Sequence, residues 1–176
     1  MKAYVSRFDL RLFRAIFNYR RDSFLPAFFR VISFIGGGYF YFLFAIYMYF
    51  AQPELFKPTM FVSLIGFGIH LPIYFILKNM IRRVRPFNAH NDIDNMVYPI
   101  DEFSFPSGHT AAAFLVAFII SHFIPALAVY MYIYASLVGL SRIYVGVHYP
   151  SDIIAGAAFG TGVGWGAVYI VNHFIC

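Results

Sequence analysis

Residues 106–125 read PSGHTAAAFLVAFIISHFIP. Pro106 and Ser107 are ordinary helix-start residues, and an apolar run follows. That run closes at Ser121-His122-Phe123-Ile124-Pro125, a tight reversal that leads directly into another apolar run ending near Ser141. A bilayer core about 30 Å thick takes roughly 20 apolar residues as a helix. Both runs therefore read as short membrane spans placed back to back.

The same reading extends outward in both directions. Spans are expected near residues 32–50, 58–77, 107–123, 124–141 and 152–174. The fold class that follows is all-α, a multi-pass transmembrane helix bundle of about five spans in one membrane-embedded domain over residues 1–176. Pro72 is expected to kink the second span, which also holds His70. Residues 23–35, apolar apart from Arg30, end at Gly36-Gly37-Gly38 and read as a half-span or the start of a kinked first span. Within residues 1–31, the stretch 8–21 interleaves Leu10, Phe13, Ile16 and Phe17 with Arg11, Arg14, Arg20 and Arg21. It is expected to be an amphipathic helix lying in the interface. The aromatic crowd from Tyr39 to Phe50 reads as lipid-facing and belt residues.

Composition agrees with a membrane protein. The 176-residue chain is 61% hydrophobic and 12% charged, whereas soluble domains are about one quarter charged. Its net charge of +5 sits beside apolar spans, so it points to anionic head groups and not to nucleic acid. Cys176 is the only cysteine, which excludes an intrachain disulfide. No signal peptide is recognised at the start, so insertion is expected to rely on the spans. In the last span Gly156, Gly160 and Gly164 recur every fourth residue, as do Gly162 and Gly166. Small residues at that spacing allow close helix packing, expected here within one molecule, with a homodimer as the alternative.

Alternation of spans brings four ends to one membrane face: the end of the second and fourth spans and the start of the third and fifth. Those ends carry the chemistry. Lys78 and Arg85 are seven apart, nearly two helical turns, and offer an ammonium and a guanidinium to a phosphate. Lys78, Arg82, Arg83 and Arg85 also read plainly as topological anchors. Ser107, Gly108 and His109 open the third span, where free N–H groups favour an anion and His109 stands beside it. Arg142 adds another guanidinium. His148 and Asp152 are one turn apart if a helix begins near Pro150. A carboxylate beside one ring nitrogen leaves the other as a nucleophile for phosphorus. The polar segment 87–105, with His90, Asp92, Asp94, Asp101 and Glu102, reads as a solvated loop, its spacing too irregular for a metal site.

Together the blocks K-x6-RP, PSGH and SR-x5-H-x3-D resemble the signature of the type-2 phosphatidic acid phosphatase superfamily, the lipid phosphate phosphatases. The resemblance covers about residues 70–165. It implies a metal-independent phosphatase without cofactors, acting on an anionic lipid phosphate in the bilayer. By that resemblance His148 attacks phosphorus to form a phosphohistidine, Asp152 orients it, and His109 protonates the leaving oxygen. Lys78, Arg85, Ser107, Gly108 and Arg142 would hold the phosphate. The short form is similar to bacterial enzymes that convert undecaprenyl diphosphate to the monophosphate. Phosphatidylglycerophosphate, phosphatidate and lipid A phosphates are the alternatives, and a lipid-phosphate binder or flippase is the non-enzyme one. For sidedness, the positive-inside rule assigns the site to the cytoplasm, because Lys57 alone lies opposite the other cations. The resemblance implies a site facing outward from the bacterial inner membrane, and that is the reading adopted.

Overall fold

The computed structural model describes residues 6–19 and 24–174. Lys2, Arg20, Arg21 and Cys176 lie outside the described residues. Every regular element among the described residues is helical: α1 (Arg7–Phe17), α2 (Phe24–Ile35), α3 (Tyr39–Ala51), α4 (Pro53–Ile81), α5 (Pro86–Ala89), α6 (Gly108–Phe123), α7 (Ala128–Tyr144) and α8 (Pro150–Phe174). A short 3₁₀ turn, Pro125–Leu127, makes the reversal between α6 and α7.

Three helices are long and apolar enough to cross a membrane, one each from the α4, α7 and α8 regions. The bent pair α2 and α3 makes up to a fourth. The first and third of the expected spans stand apart from these. The first begins before residue 32 and is bent by 58° at Gly36–Gly38, the kinked form that the reading of residues 23–35 allowed. Gly38 has φ +114°, a conformation that costs glycine little and other residues much. The third expected span, α6, has 16 residues, about 24 Å at 1.5 Å per residue, shorter than a bilayer core. Meanwhile α4 runs unbroken through Pro72 for 29 residues.

The short helix α6 occupies the centre. Leu115 and Ile119 pack with Val62 of α4 and Val163, Ala167 and Val171 of α8. On its other side Ala113, Val116 and Ala117 meet Met131, Ala135 and Val138 of α7. Gly160 makes the α6–α8 approach possible: a Cβ there would lie 2.0 Å from the Ala111 carbonyl oxygen. Gly156 and Gly164 face Ser107 and Phe118 in the same way. That stripe is occupied within the molecule, while Gly162 and Gly166 have nothing within 4 Å.

The amphipathic N-terminal stretch is α1, capped by Ser6, whose hydroxyl accepts from the Asp9 amide at 3.0 Å. Its face of Phe13 and Phe17 packs on Ile93, Ile143 and Tyr149, beside the entrance to α8. The fold thus gathers the ends of α4 and α7 and the starts of α6 and α8 under α1.

Candidate active site

The geometry begins where α4 stops. Arg82 adopts the left-handed conformation, φ 49°, and ends the helix at Ile81, four residues before Arg85. Lys78 and Arg85 are therefore not joined by one helical face, as their spacing suggested. The chain leaves the helix at Arg82 and returns Arg85 beside Lys78, where Pro86 starts α5. Both side chains are buried.

A carboxylate from the polar loop holds them together. Asp101 forms salt bridges with Lys78, at 2.7 Å, and with Arg85. Tyr74 donates to the same carboxylate at 2.6 Å. Segment 87–105 is thus more than a solvated loop: Asp92 pairs with Arg14 at the surface, but Asp101 reaches Lys78 and Arg85. Burial alone would push the Asp101 carboxyl up. The hydrogen bonds from Lys78 and Tyr74, with the Lys78 and Arg85 charges, outweigh burial and hold it at about 2.

The second block starts α6 at Gly108, with Ser107 in the N-cap position. The Ser107 amide donates to the Asp152 carbonyl at 3.1 Å, and its hydroxyl accepts from Thr110 at 2.9 Å. Gly108 makes room for a neighbour, since a Cβ there would meet the Tyr74 phenol at 2.8 Å.

The third block wraps the end of α7. The amides of Val147 and His148 both donate to the Arg142 carbonyl at 3.2 Å, tying His148 to Arg142. Arg142 donates to Ser33 of α2, and its Nε has no partner among the described residues. As expected, α8 begins at Pro150, with the buried His148 just before it. Nδ1 of His148 stands 3.5 Å from Asp152, just beyond a normal hydrogen bond. Nε2 faces the other way, 3.3 Å from the Arg85 guanidinium. Burial lowers the His148 pKa well below 6.5, and the Arg85, Arg142, Lys78 and His109 charges add to the effect. Both effects favour the neutral form of the ring.

Asp152 is wholly buried. One oxygen accepts from the Tyr149 amide at 2.8 Å and the other from Arg83 at 2.5 Å. Arg83 is consequently no topological anchor: it is 5% exposed, whereas Arg82 is exposed and bonds the Asn79 carbonyl. Asp9 of α1 completes the group by pairing with Arg83. Asp101, Tyr74, Arg83 and Asp9 are the residues that spacing did not reveal. The cue available in sequence was a surplus of cations at the α4 end with few acids to match them.

A cavity of about 300 Å³ opens in front of His148. Arg85, Asp101, Gly108, His109, Arg142 and His148 all line it. Lys78, Arg85 and Arg142 against Asp101 leave an excess of two positive charges, matched to a phosphate dianion. Among the described residues no cluster of three or more His, Cys, Asp or Glu is arranged to hold a metal. His70, buried with neither ring nitrogen hydrogen-bonded, stacks between Tyr74 and Phe159 in the cavity wall.

A lipid-phosphatase-type site at one end of a membrane helix bundle fits what comparison finds. The model of the PAP2 superfamily matches residues 58–176, and the chain belongs to that superfamily. It is similar to the crystal structure of Aquifex aeolicus LpxE, 31% identical, with a TM-score of 0.80 over 96% of this chain and 99% of that one. A lipid A 4′-phosphatase of Bacteroides thetaiotaomicron is 36% identical over 104 residues, 55% of this chain and 46% of its own. An undecaprenyl-diphosphatase of Sulfolobus acidocaldarius is 29% identical over 165 residues, 93% of this chain and 78% of its own. The chain spans about half the length of the first curated relatives it matches.

Proposed function

We propose that this integral membrane protein is a lipid phosphatase that works through a phosphohistidine. The observation that carries the reading is the orientation of His148. Its Nε2 points to the cationic cavity and its Nδ1 to a buried carboxylate. In the first step Nε2 bonds to the terminal phosphorus as its bond to the leaving oxygen breaks, the bridging oxygen of a diphosphate or the ester oxygen of a monophosphate. His109 gives that oxygen a proton, and Asp152 favours the positive ring left on His148. Lys78, Arg85 and Arg142 neutralise the phosphate oxygens, with the Ser107 and Gly108 segment at the α6 start. In the second step water, deprotonated by His109, attacks phosphorus and releases inorganic phosphate and neutral His148. No step calls for a metal.

For the lipid, we infer undecaprenyl diphosphate cleaved to the monophosphate. Support comes from the undecaprenyl-diphosphatase relative, which aligns over nearly the whole of this chain. A lipid A phosphate is the second reading, supported by the lipid A 4′-phosphatase relative. The site is read as facing outward from a bacterial inner membrane, with several of its cations committed to the phosphate and not to topology.

Purified protein tested with EDTA against undecaprenyl diphosphate, lipid A, phosphatidate and phosphatidylglycerophosphate should release phosphate most rapidly from the first. Vanadate, which mimics five-coordinate phosphorus, should inhibit. Preference for lipid A would replace the substrate. Phosphate release only with added magnesium would remove the mechanism, and binding without release would favour a carrier or flippase.

A further inference from the structure

Behind His148, away from the cavity, lies a sealed ionic cluster of which the three blocks specify Asp152 alone. Arg83 is its hub. One end of the guanidinium donates to Asp152 at 2.5 Å and to the Ser151 hydroxyl at 2.6 Å. The other end pairs with Asp9. Asp9 in turn accepts from the Ser151 amide at 3.0 Å and its hydroxyl at 2.6 Å. The guanidinium carbon stands 4.4 Å from the centre of the Tyr149 ring. Asp9, Arg83 and Asp152 are each at most 5% exposed.

Charge bookkeeping shows what the third member adds. Asp152 with Arg83 alone would be a neutral pair, with little left to attract a positive ring. Asp9 brings the buried cluster to a net charge of −1. On the cavity side His148 faces the cations Lys78, Arg85 and Arg142, with Asp101 paired to the first two. A planar fork satisfied at both ends also fixes where the Asp152 oxygens point.

We propose that Arg83 and Asp9 are positioning residues for the His148 reaction: Asp9 on α1 holds Arg83, and Arg83 holds the Asp152 carboxylate beneath Nδ1. The N-terminal helix is thereby part of the catalytic apparatus, though it carries no motif. This rests on His148 being the nucleophile. A residue that merely docks α1 would alter stability and leave the turnover of folded protein unchanged.

The test is a double-mutant cycle in detergent micelles with dioctanoyl phosphatidate as probe and vanadate inhibition as the measure of phosphate binding. Asp9→Asn and Arg83→Gln should each lower kcat by on the order of 10²-fold, as small misplacements near a reacting group do. KM and vanadate inhibition should stay within about twofold of wild type, because the cavity cations are untouched. Arg83→Lys should fall between, and it carries the cycle with Asp9→Asn where Arg83→Gln does not fold. In an Asp152→Asn background neither change should lower kcat further, since its route of action is gone. Losses that multiply with Asp152→Asn, or folded Asp9→Asn protein with wild-type kcat, overturn the inference and leave the phosphatase reading standing. A wild-type chain that releases no phosphate from any lipid tested overturns both.

Discussion

Two ionic clusters flank His148, and they are built with opposite balances. In front, Lys78 and Arg85 share one resident carboxylate, Asp101, and together with Arg142 they line or border an open cavity. Behind, the single cation Arg83 is shared by two carboxylates, Asp9 and Asp152, with no opening to the cavity. The front is short of anions and suited to receive one. The back is closed and negative, suited to support positive charge on the ring. Arg83 and Arg85, two residues apart, serve opposite clusters because the chain turns out of α4 at Arg82. A residue type therefore says little at this site; the partner decides the task.

The comparison breaks first at its hinge. His148→Ala should abolish turnover and leave no acid-labile phosphoenzyme in a quenched reaction with radiolabelled substrate. A labelled phosphoenzyme in that variant would move the nucleophile elsewhere. His109→Ala should lose on the order of 10²–10⁴-fold, the usual contribution of a general acid. An aryl phosphate with a low-pKa leaving group should rescue His109→Ala far more than His148→Ala. Equal rescue would mean that the two histidines are wrongly assigned.

The front should respond in binding. Arg85→Lys keeps the charge but loses the fork that now spans Asp101 and approaches His148, so vanadate inhibition should weaken by about tenfold, roughly one charged hydrogen bond. Undiminished vanadate inhibition would remove Arg85 from the phosphate site.

Acid titration sharpens the contrast. The lowered His148 pKa means that the folded protein resists protonation that the unfolded chain accepts below its ordinary 6.5. Stability from this residue is thus complete above that pH and lost progressively as pH falls below it. Nitrogen NMR of labelled histidine should find the His148 ring neutral at pH 6 in the free protein. A charged ring there would contradict the cationic front. The smallest effect is expected at Asp101. Asp101→Asn removes the anion resident on Lys78 and Arg85, so vanadate should bind a few-fold more tightly, in keeping with one partly exposed ion pair. Weaker binding would make Asp101 a support for those cations and not their placeholder.

Much of the candidate site was legible because its histidines and cations stand next to apolar spans. His109 and His148 are histidines at span ends, and Pro150 announces the helix that places Asp152 one turn beyond His148. The glycine stripe Gly156, Gly160 and Gly164 likewise announced close packing, and α6 fills it. Asp101 stayed hidden because it sits on an irregular loop among other acids, with nothing local to separate it from solvated neighbours. Asp9 was hidden for a different reason. On α1 it reads as one polar position of an amphipathic helix, and its partners Arg83 and Ser151 are 74 and 142 residues away.

By itself the sequence determined that the chain spans a membrane as helices, that four helix ends meet at one face, and which histidines, cations and carboxylate form the three blocks. Those properties rest on local patterns: apolar runs, caps, and residues spaced within a turn or two. Only the tertiary structure decided the end of α4 at Arg82 and the division of cations between the two sides of His148. A buried charge takes whichever opposite charge the packing brings within reach. That choice depends on helices far apart in the chain and leaves no periodic trace in the residues between them.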